Sequence, residues 1–484
     1  MKRSISMLIF MCLWGTSVFA EGYRIEVTID GVRDTTVYIA IHSGSSKYMV
    51  DTARTDGKGR AVFQKSKPLH GGMYLVAMGG MHLFDFLISD DASQAFSMYV
   101  KTSDYQGTLR FKGSPENSAL LDFQQTMGRS QRQVSAWNDR AKADSTLLPE
   151  ARDSVAAIEA ELKEYARVHG EQQAGTLLAS LMRAAFPVVA PAPDIAEDMP
   201  RRDSALWVYY YHFNKNHYLD NLDFSDKRLL YTPVFKPKIE DYFDKVVLQH
   251  PDSIIPQADY VLRLAEANHE VYNSVLSQLF NKYAEAKIMG MEKVGVYIGE
   301  HYFLTGKADW LSDKDRQSIA DFVEHNRYSL IGMPAQELKL ESVSGQTESV
   351  YDIQSPFLAL LFYSPSCGHC KKEVPEIYKI YEKYRDRGFQ VYAVYEQYKR
   401  EEWVKFVAEQ KLDWINVWDG VEAPDAEGKP TTYSVGSKFR EYYNVYTTPQ
   451  VYLLDKDKKI VGRRLNAEVL DKILQQALGE KESL

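Results

Sequence analysis

Two cysteines, Cys367 and Cys370, are separated by two residues in a CxxC motif. They follow an apolar run over residues 357–363, which predicts a buried strand, and they precede an amphipathic helix that starts near Lys371. A cysteine at a helix N-terminus is stabilised as a thiolate by unpaired backbone N–H groups and by the helix dipole. We therefore predict thiol–disulfide exchange, with Cys367 as the nucleophile and Cys370, about one helical turn away, as the resolving thiol.

His369 lies between the two cysteines. A partly protonated imidazole there lowers the thiolate pKa further and makes the disulfide more oxidising, so the direction of electron transfer stays open. The alternative for an isolated CxxC motif is half of a zinc site, which needs a second pair of ligands. The sequence has no second cysteine pair, and the candidate histidines are distant in the chain: His212, His217 and His325. We predict no metal and no cofactor besides the redox-active disulfide itself.

The start of the sequence has the features of a secretory signal peptide. Lys2 and Arg3 precede a mostly apolar run over residues 5–14, and residues 18–20 offer a small-residue cleavage site. The run is shorter than the roughly 20 apolar residues of a membrane-spanning helix. Cys12 lacks the small preceding residue of a lipid-attachment site. We expect a cleaved, periplasmic protein without stable membrane insertion.

Cleavage would leave Cys367 and Cys370 as the cysteines of the mature chain, because the third is Cys12. A protein in an oxidising compartment that keeps two cysteines in one short motif uses them for chemistry rather than as general staples. Cleavage also removes two of the 58 basic residues, and 56 basic against 66 acidic residues give a formal charge of -10 instead of -8. This acidic balance argues against nucleic acid as a partner.

Length and local pattern predict three domains behind the signal peptide of residues 1–20, because 484 residues are too many for one hydrophobic core. Residues 21–113 alternate short apolar runs with Gly, Asp and Ser turns, which predicts a small antiparallel β-sandwich. Residues 114–328 carry apolar residues at helical spacing, which predicts an all-α domain interrupted by a proline-rich loop at 187–200. Residues 329–484 alternate strands and helices, which predicts an α/β domain with a mixed sheet and helices on both faces.

An aromatic cluster lies in the helical region at residues 209–213. It could be a platform for a ligand, but aromatic clusters in helical domains are most often packed in the core. We therefore expect these side chains to be buried.

The segment around the cysteines, residues 362–375, resembles the active-site segment of thioredoxin-like envelope reductases of the TlpA/ResA type. Residues 447–455 resemble the segment in which this family has a cis-proline facing the CxxC motif. The resemblance implies that Pro449 is cis and that Thr448 offers its backbone to an incoming peptide, so both would bind substrate. Glu373 matches the family's acidic residue that relays a proton. A charge partner for the first turn of the helix is the alternative interpretation.

The resemblance covers about residues 329–478 and includes the family's lead-in β-hairpin. Residues 22–111 and 217–234 resemble the β-domain and the helical domain of uncharacterised role that precede such domains in some Gram-negative envelope proteins. Two positions depart from the thioredoxin pattern: Ser366 stands where Trp is common, and Leu361 where a polar residue is buried.

The resemblance implies a periplasmic thiol-disulfide oxidoreductase that reduces protein disulfides by dithiol exchange. Its expected partners are client proteins with cysteines or disulfides, and a membrane electron donor that keeps the pair reduced. Two alternatives stay open. One is a disulfide oxidase or isomerase, which His369 favours, and the other is an envelope ligand-binding protein with a vestigial CxxC motif.

Overall fold

A computed structural model gives the fold of most of the chain. It describes residues 22–90, 93–424, 427 and 429–479. The predicted signal peptide and Cys12 lie outside these residues. No helix in the described part of the chain is long and apolar enough to cross a membrane.

The chain forms two compact units, which are described separately below. Unit 1 comprises residues 22–247 and 263–272, and unit 2 comprises residues 248–262 and 273–479. The predicted helical region is therefore divided between the units, and the domain bounds proposed from the sequence stay predictions.

Unit 1 begins with two four-stranded sheets. Their strands are β1 (Tyr23–Asp30), β2 (Thr36–Ser43), β3 (Ser46–Arg54), β4 (Arg60–Lys65), β5 (Gly72–Met78), β6 (Met81–Ile88), β7 (Ala95–Lys101) and β8 (Arg110–Lys112). One sheet has the order β4-β1-β7-β8 and the other β3-β2-β5-β6. Alternate side chains of both sheets, such as Ile25 of β1 and Ile39 of β2, share one buried core. This arrangement confirms the predicted strand-rich N-terminal region.

The predicted antiparallel pairing of the sandwich is wrong for one pair of strands. Strands β1 and β7 are parallel, with Ile25 opposite Phe96. The alternation of apolar and polar residues assigns each side chain to a face, but it carries no information on strand direction. The connection from the second sheet back to β7 sets that direction.

Unit 1 also contains helices, and all but the first of them follow the strands. They are α1 (Tyr105–Thr108), α2 (Pro115–Ala143), α3 (Leu148–Gln172), α4 (Leu177–Ala184), α5 (Arg202–His217) and α6 (Phe235–Asp241). No helix forms between α4 and α5 in this described stretch, which is where the prolines of residues 187–200 remove backbone donors.

The predicted burial of the aromatic cluster at residues 209–213 is wrong. Helix α5 contains no buried residue, and the nearby Trp207 is 61% exposed. Consecutive helical residues point about 100° apart, so an unbroken aromatic run surrounds the helix instead of forming one face that could be buried.

Unit 2 contains a seven-stranded mixed sheet and a separate hairpin. The strands are β9 (Lys339–Ser342), β10 (Thr347–Ser349), β11 (Phe357–Tyr363), β12 (Phe389–Tyr395), β13 (Ile415–Trp418), β14 (Gly420–Pro424), β15 (Pro430–Ser434), β16 (Gln450–Asp455) and β17 (Ile460–Arg463). The sheet order is β10-β9-β13-β12-β11-β16-β17, with β11, β12 and β13 parallel to one another. Strands β14 and β15 pair only with each other among the described residues.

Helices cover both faces of this sheet, as predicted. The remaining helices of the chain are α7 (Pro251–Ala265), α8 (His269–Ala284), α9 (Glu292–Ile298), α10 (Asp313–Asn326), α11 (Cys370–Tyr384), α12 (Arg400–Gln410), α13 (Phe439–Tyr442) and α14 (Ala467–Leu478). Helices α7 and α8 contribute residues to both units. Strand β11 alternates between two cores: Leu361 packs with residues of α11, α12 and α14, and Leu360 with residues of α13.

A buried ion pair joins the helices of unit 2 to the sheet. Arg463, at the end of β17, has a side chain that is 2% exposed and lies 3.0 Å from the Glu292 carboxylate of α9. Its guanidinium also donates to the side-chain oxygen of Asn326, the last residue of α10, at 3.0 Å. Helices α9 and α10 are thus part of the same packed body as the C-terminal sheet.

Replacing Glu292 with Ala is expected to destabilise the protein by about 3–5 kcal/mol, because it leaves the Arg463 charge buried without its counter-ion. The measurement is the free energy of unfolding in urea. Glu300→Ala is the matched control, because the Glu300–Arg327 pair is at least 30% exposed on both sides and contributes less than about 1 kcal/mol. Equal losses in the two variants would contradict this assignment.

Candidate active site

The CxxC motif lies after the carboxyl end of the interior strand β11. This strand pairs with β16 in an antiparallel register that places Phe362 opposite Gln450. The residues just after β11 and just before β16 therefore meet at one edge of the sheet. Strand pairing brings Cys367 and Thr448 together although 81 positions separate them in the chain.

Helical hydrogen bonding begins at the first cysteine. The N–H of Lys371 donates to the carbonyl oxygen of Cys367 at 3.1 Å, and the N–H of Glu373 donates to that of His369 at 2.9 Å. Cys367 therefore occupies the helix N-terminus, where unpaired N–H groups favour an anion. Cys370 opens α11 and is fully buried, whereas Cys367 is partly exposed, and both are free thiols.

The Cys367 thiol has a lowered pKa. Burial raises its pKa, but hydrogen bonds from the backbone N–H and the thiol of Cys370, together with a contribution from Thr448, outweigh that effect. The Sγ of Cys367 lies 3.2 Å from the carbonyl oxygen of Thr448, to which the thiol form donates. The partly exposed sulfur is therefore the one that is more easily ionised.

The Cys370 thiol behaves in the opposite way. Burial raises its pKa to about 11. Its sulfur accepts a long contact of 3.5 Å from the backbone N–H of Ser364. At neutral pH this thiol is protonated, so it needs a proton acceptor before it can attack a mixed disulfide.

His369 and Glu373 flank the pair in different ways. His369 is exposed, and its backbone N–H contributes to the lowered pKa of Cys367. Glu373 is half-buried, and its Oε1 accepts a hydrogen bond from the backbone N–H of Ala467, the first residue of α14. The carboxylate therefore caps a second helix rather than serving only the first turn of its own.

The loop before β16 supplies the opposite wall. The Thr448–Pro449 peptide bond is cis, the geometry that the resemblance implies. Thr448 and Pro449 are both partly exposed. The structure thus brings Cys367, Cys370, Thr448 and Pro449 to one sheet edge.

A polar cluster next to Cys367, formed by Ser364, Ser366 and Gln397, was not predicted from the sequence. The hydroxyls of Ser364 and Ser366 are 2.9 Å apart, and the Gln397 side chain donates to Ser366 at 3.2 Å. Gln397 follows β12, which is parallel to β11. The carboxyl ends of neighbouring parallel strands meet at one edge, so polar residues just after β12 were the available signal.

Comparison with known proteins places the C-terminal region among thioredoxin-like proteins. Residues 331–463 match the AhpC/TSA family, and residues 204–329 match a domain of unknown function, DUF5106. The thiol-disulfide oxidoreductase ResA of Bacillus cereus is 22% identical over 143 residues, which are 30% of this chain and 74% of that protein.

Two solved structures are also similar. A domain of a possible thiol-disulfide isomerase from Cytophaga hutchinsonii is 35% identical, covers 31% of this chain and 95% of its own, and has a TM-score of 0.27. A thioredoxin-like protein from Bacteroides caccae is 17% identical, covers 60% of this chain and 98% of its own, and has a TM-score of 0.44. The family and curated-protein matches confirm the predicted resemblance of the C-terminal region.

Alkylation should reveal the difference between the two thiols. We expect iodoacetamide to modify Cys367 with a pH midpoint below the roughly 8.5 of an ordinary thiol. The gain in rate near pH 7 should be smaller than the gain in thiolate, because nucleophilicity falls with pKa. The measurement is the alkylation rate of the reduced protein between pH 5 and 10, with mass spectrometry to locate the label.

Cys367→Ala is the control for this experiment. Its remaining thiol, Cys370, should react slowly at neutral pH because it is buried and has a pKa of about 11. A Cys367 rate equal to that of a free peptide thiol would contradict the lowered pKa.

Proposed function

We propose that this chain, whose C-terminal region is a thioredoxin-like thiol-disulfide oxidoreductase domain related to ResA, reduces disulfides of client proteins by dithiol exchange. The observation that carries the proposal is the asymmetric pair. Cys367 is partly exposed with a lowered pKa, and Cys370 is buried beneath it with a raised one.

The first step is attack by the Cys367 thiolate on one sulfur of a client disulfide. A new S–S bond forms between Cys367 and the client, the client S–S bond breaks, and the departing client sulfur leaves as a thiolate that takes a proton from water. The Thr448 backbone borders Cys367, so a client peptide held there has its sulfur within reach.

The second step releases the client. Cys370 loses its proton and attacks the Cys367 sulfur, which forms the Cys367–Cys370 disulfide and expels the second client thiolate. In sum, two electrons pass from the pair to the client, and of the two protons that the client thiols gain, one balances the proton lost by Cys370 and the other comes from water. We propose Glu373 as the proton acceptor, because Leu361, where thioredoxins have a polar residue, is apolar and fully buried.

A dithiol reductant must then restore the reduced pair, and we propose a membrane electron donor for this role. The predicted signal peptide places the protein in the periplasm under this proposal, and the clients are envelope proteins with cysteines or disulfides. An oxidase or isomerase is the second candidate, favoured by the exposed His369 beside the pair. Equilibration with glutathione separates the candidates, because a reductase holds its disulfide at a more negative potential.

Reduction of insulin disulfides tests the activity. The wild-type protein with dithiothreitol should accelerate insulin precipitation, and Cys367→Ser should abolish the acceleration because the nucleophile is gone. Cys370→Ala should instead accumulate a mixed disulfide with the client, which non-reducing electrophoresis detects. Activity that survives in Cys367→Ser would contradict the assignment of the nucleophile.

Glu373→Gln tests the proton acceptor. The variant keeps an oxygen that can accept from Ala467 but loses the basic carboxylate, so resolution of the mixed disulfide should slow by about tenfold or more. Alkylation of Cys367 should change less than twofold. Stopped-flow measurement of client release gives the rate.

Glu376→Gln is the matched control, because Glu376 is exposed on the same helix and pairs with Lys379. If the two variants release client at the same rate, Glu373 serves as a helix cap and not as the proton acceptor.

A further inference from the structure

Two exposed tyrosines lie within two residues of Thr448 and Gln397, which contact Cys367 and Ser366. Tyr446, two residues before Thr448, is 56% exposed. Tyr398 is 39% exposed and follows Gln397, whose side chain donates to Ser366. An aromatic ring exposed next to a peptide-binding backbone is a candidate contact for a client side chain, because tyrosine supplies a large apolar surface with few rotatable bonds.

Tyr446 is held in place by a residue from the helical region. Its hydroxyl is hydrogen-bonded to Nε2 of His325 at 2.8 Å, and the two ring centroids are 4.7 Å apart. His325 lies in the last turn of α10, within the segment that matches DUF5106. A ring fixed by a neighbour loses little conformational entropy when a ligand packs on it.

The same helix end fixes the loop from a second point. The side-chain oxygen of Asn326 accepts from Asn444 at 3.4 Å and from the buried Arg463 at 3.0 Å. Asn444 has a left-handed backbone with φ of 49°, and its carbonyl oxygen accepts from the Gln450 side chain at 2.9 Å. The loop that carries Tyr446 is thereby anchored both to α10 and to the start of β16.

We propose that Tyr446 and His325 form a client-recognition pair, in which Tyr446 contacts the client and His325 positions its ring. The client it fits is an extended peptide with an apolar or aromatic residue about two positions from its reactive cysteine. Such a residue lies roughly 7 Å along the strand from the cysteine and on the same side. This inference rests on the proposed function and assigns part of client selection to the end of the helical region.

The test uses the reduced full chain and three disulfide probes in single-turnover reactions. Two probes are decapeptides whose cysteine carries a thionitrobenzoate group, with Phe or Ser two residues from the cysteine. The third is bis(2-hydroxyethyl) disulfide, which has no side chain for Tyr446 to contact. The second-order rate constants of the wild type should favour the Phe peptide over the Ser peptide by about fivefold to tenfold.

Tyr446→Ala should reduce this preference to about one, while the rate constant with the small disulfide changes less than twofold. His325→Ala and Tyr446→Phe should each lower the preference by about threefold, because each removes the hydrogen bond that orients the ring. The double variant, with His325→Ala and Tyr446→Phe together, should lose no more of the preference than either single variant, because both changes break the same contact. Asp321→Ala, exposed one turn earlier in α10, and Tyr48→Ala, a tyrosine of unit 1 that is 59% exposed, are the matched controls and should keep the full preference.

Three results would overturn the recognition pair while leaving the redox function intact. These are a wild type that reacts equally with both peptides, a preference that survives in Tyr446→Ala, and additive losses in the double variant. If Tyr446→Ala lowers the rate constant with the small disulfide as much as the rate constant with the Phe peptide, the pair acts on the chemistry of the sulfur. That result would also overturn the recognition pair. A wild type that reacts with none of the three probes would overturn the proposed function itself, and the recognition pair with it.

Discussion

The contact between the Cys367 sulfur and the Thr448 carbonyl oxygen depends on the pairing of two interior strands of the sheet. Because β11 and β16 are antiparallel with Phe362 opposite Gln450, the loop after one and the loop before the other must meet. The helix that follows β11 then presents its unpaired N–H groups at that meeting point. One strand register therefore decides that the sulfur lies at a helix N-terminus and faces the Thr448 backbone.

The two thiols are only three positions apart in the chain, but their environments shift their pKa values in opposite directions. Cys367 receives hydrogen bonds that lower its pKa, whereas Cys370 turns into the core beneath α11 and its pKa rises to about 11. Under the proposed mechanism, this asymmetry assigns attack to Cys367 and resolution to Cys370. It also creates a need for a proton acceptor, since Leu361 of β11, which packs in the same core as Cys370, is apolar. Glu373 is suited to that need because it is half-buried on the same helix, one turn beyond Cys370.

Unit 2 is larger than a thioredoxin-like domain alone. The ion pair between Arg463 and Glu292, and the bonds that meet at Asn326, make helices α9 and α10 part of its packing. These contacts end at the loop that carries Tyr446. Part of the segment that matches a domain of unknown function therefore contacts the loop that leads to Thr448.

The sequence by itself determined the chemistry and the order of the structural classes. The CxxC motif, the apolar strand before it and the helix after it are adjacent in the chain, so short-range rules predict them together. The resemblance around Pro449 added the second wall of the site. Tertiary structure alone decided the parallel pairing of β1 with β7, the exposure of the aromatic run in α5, and the contacts of Arg463 and His325. These features join residues more than 60 positions apart or depend on which helix face finds a partner, and no local periodicity encodes such choices.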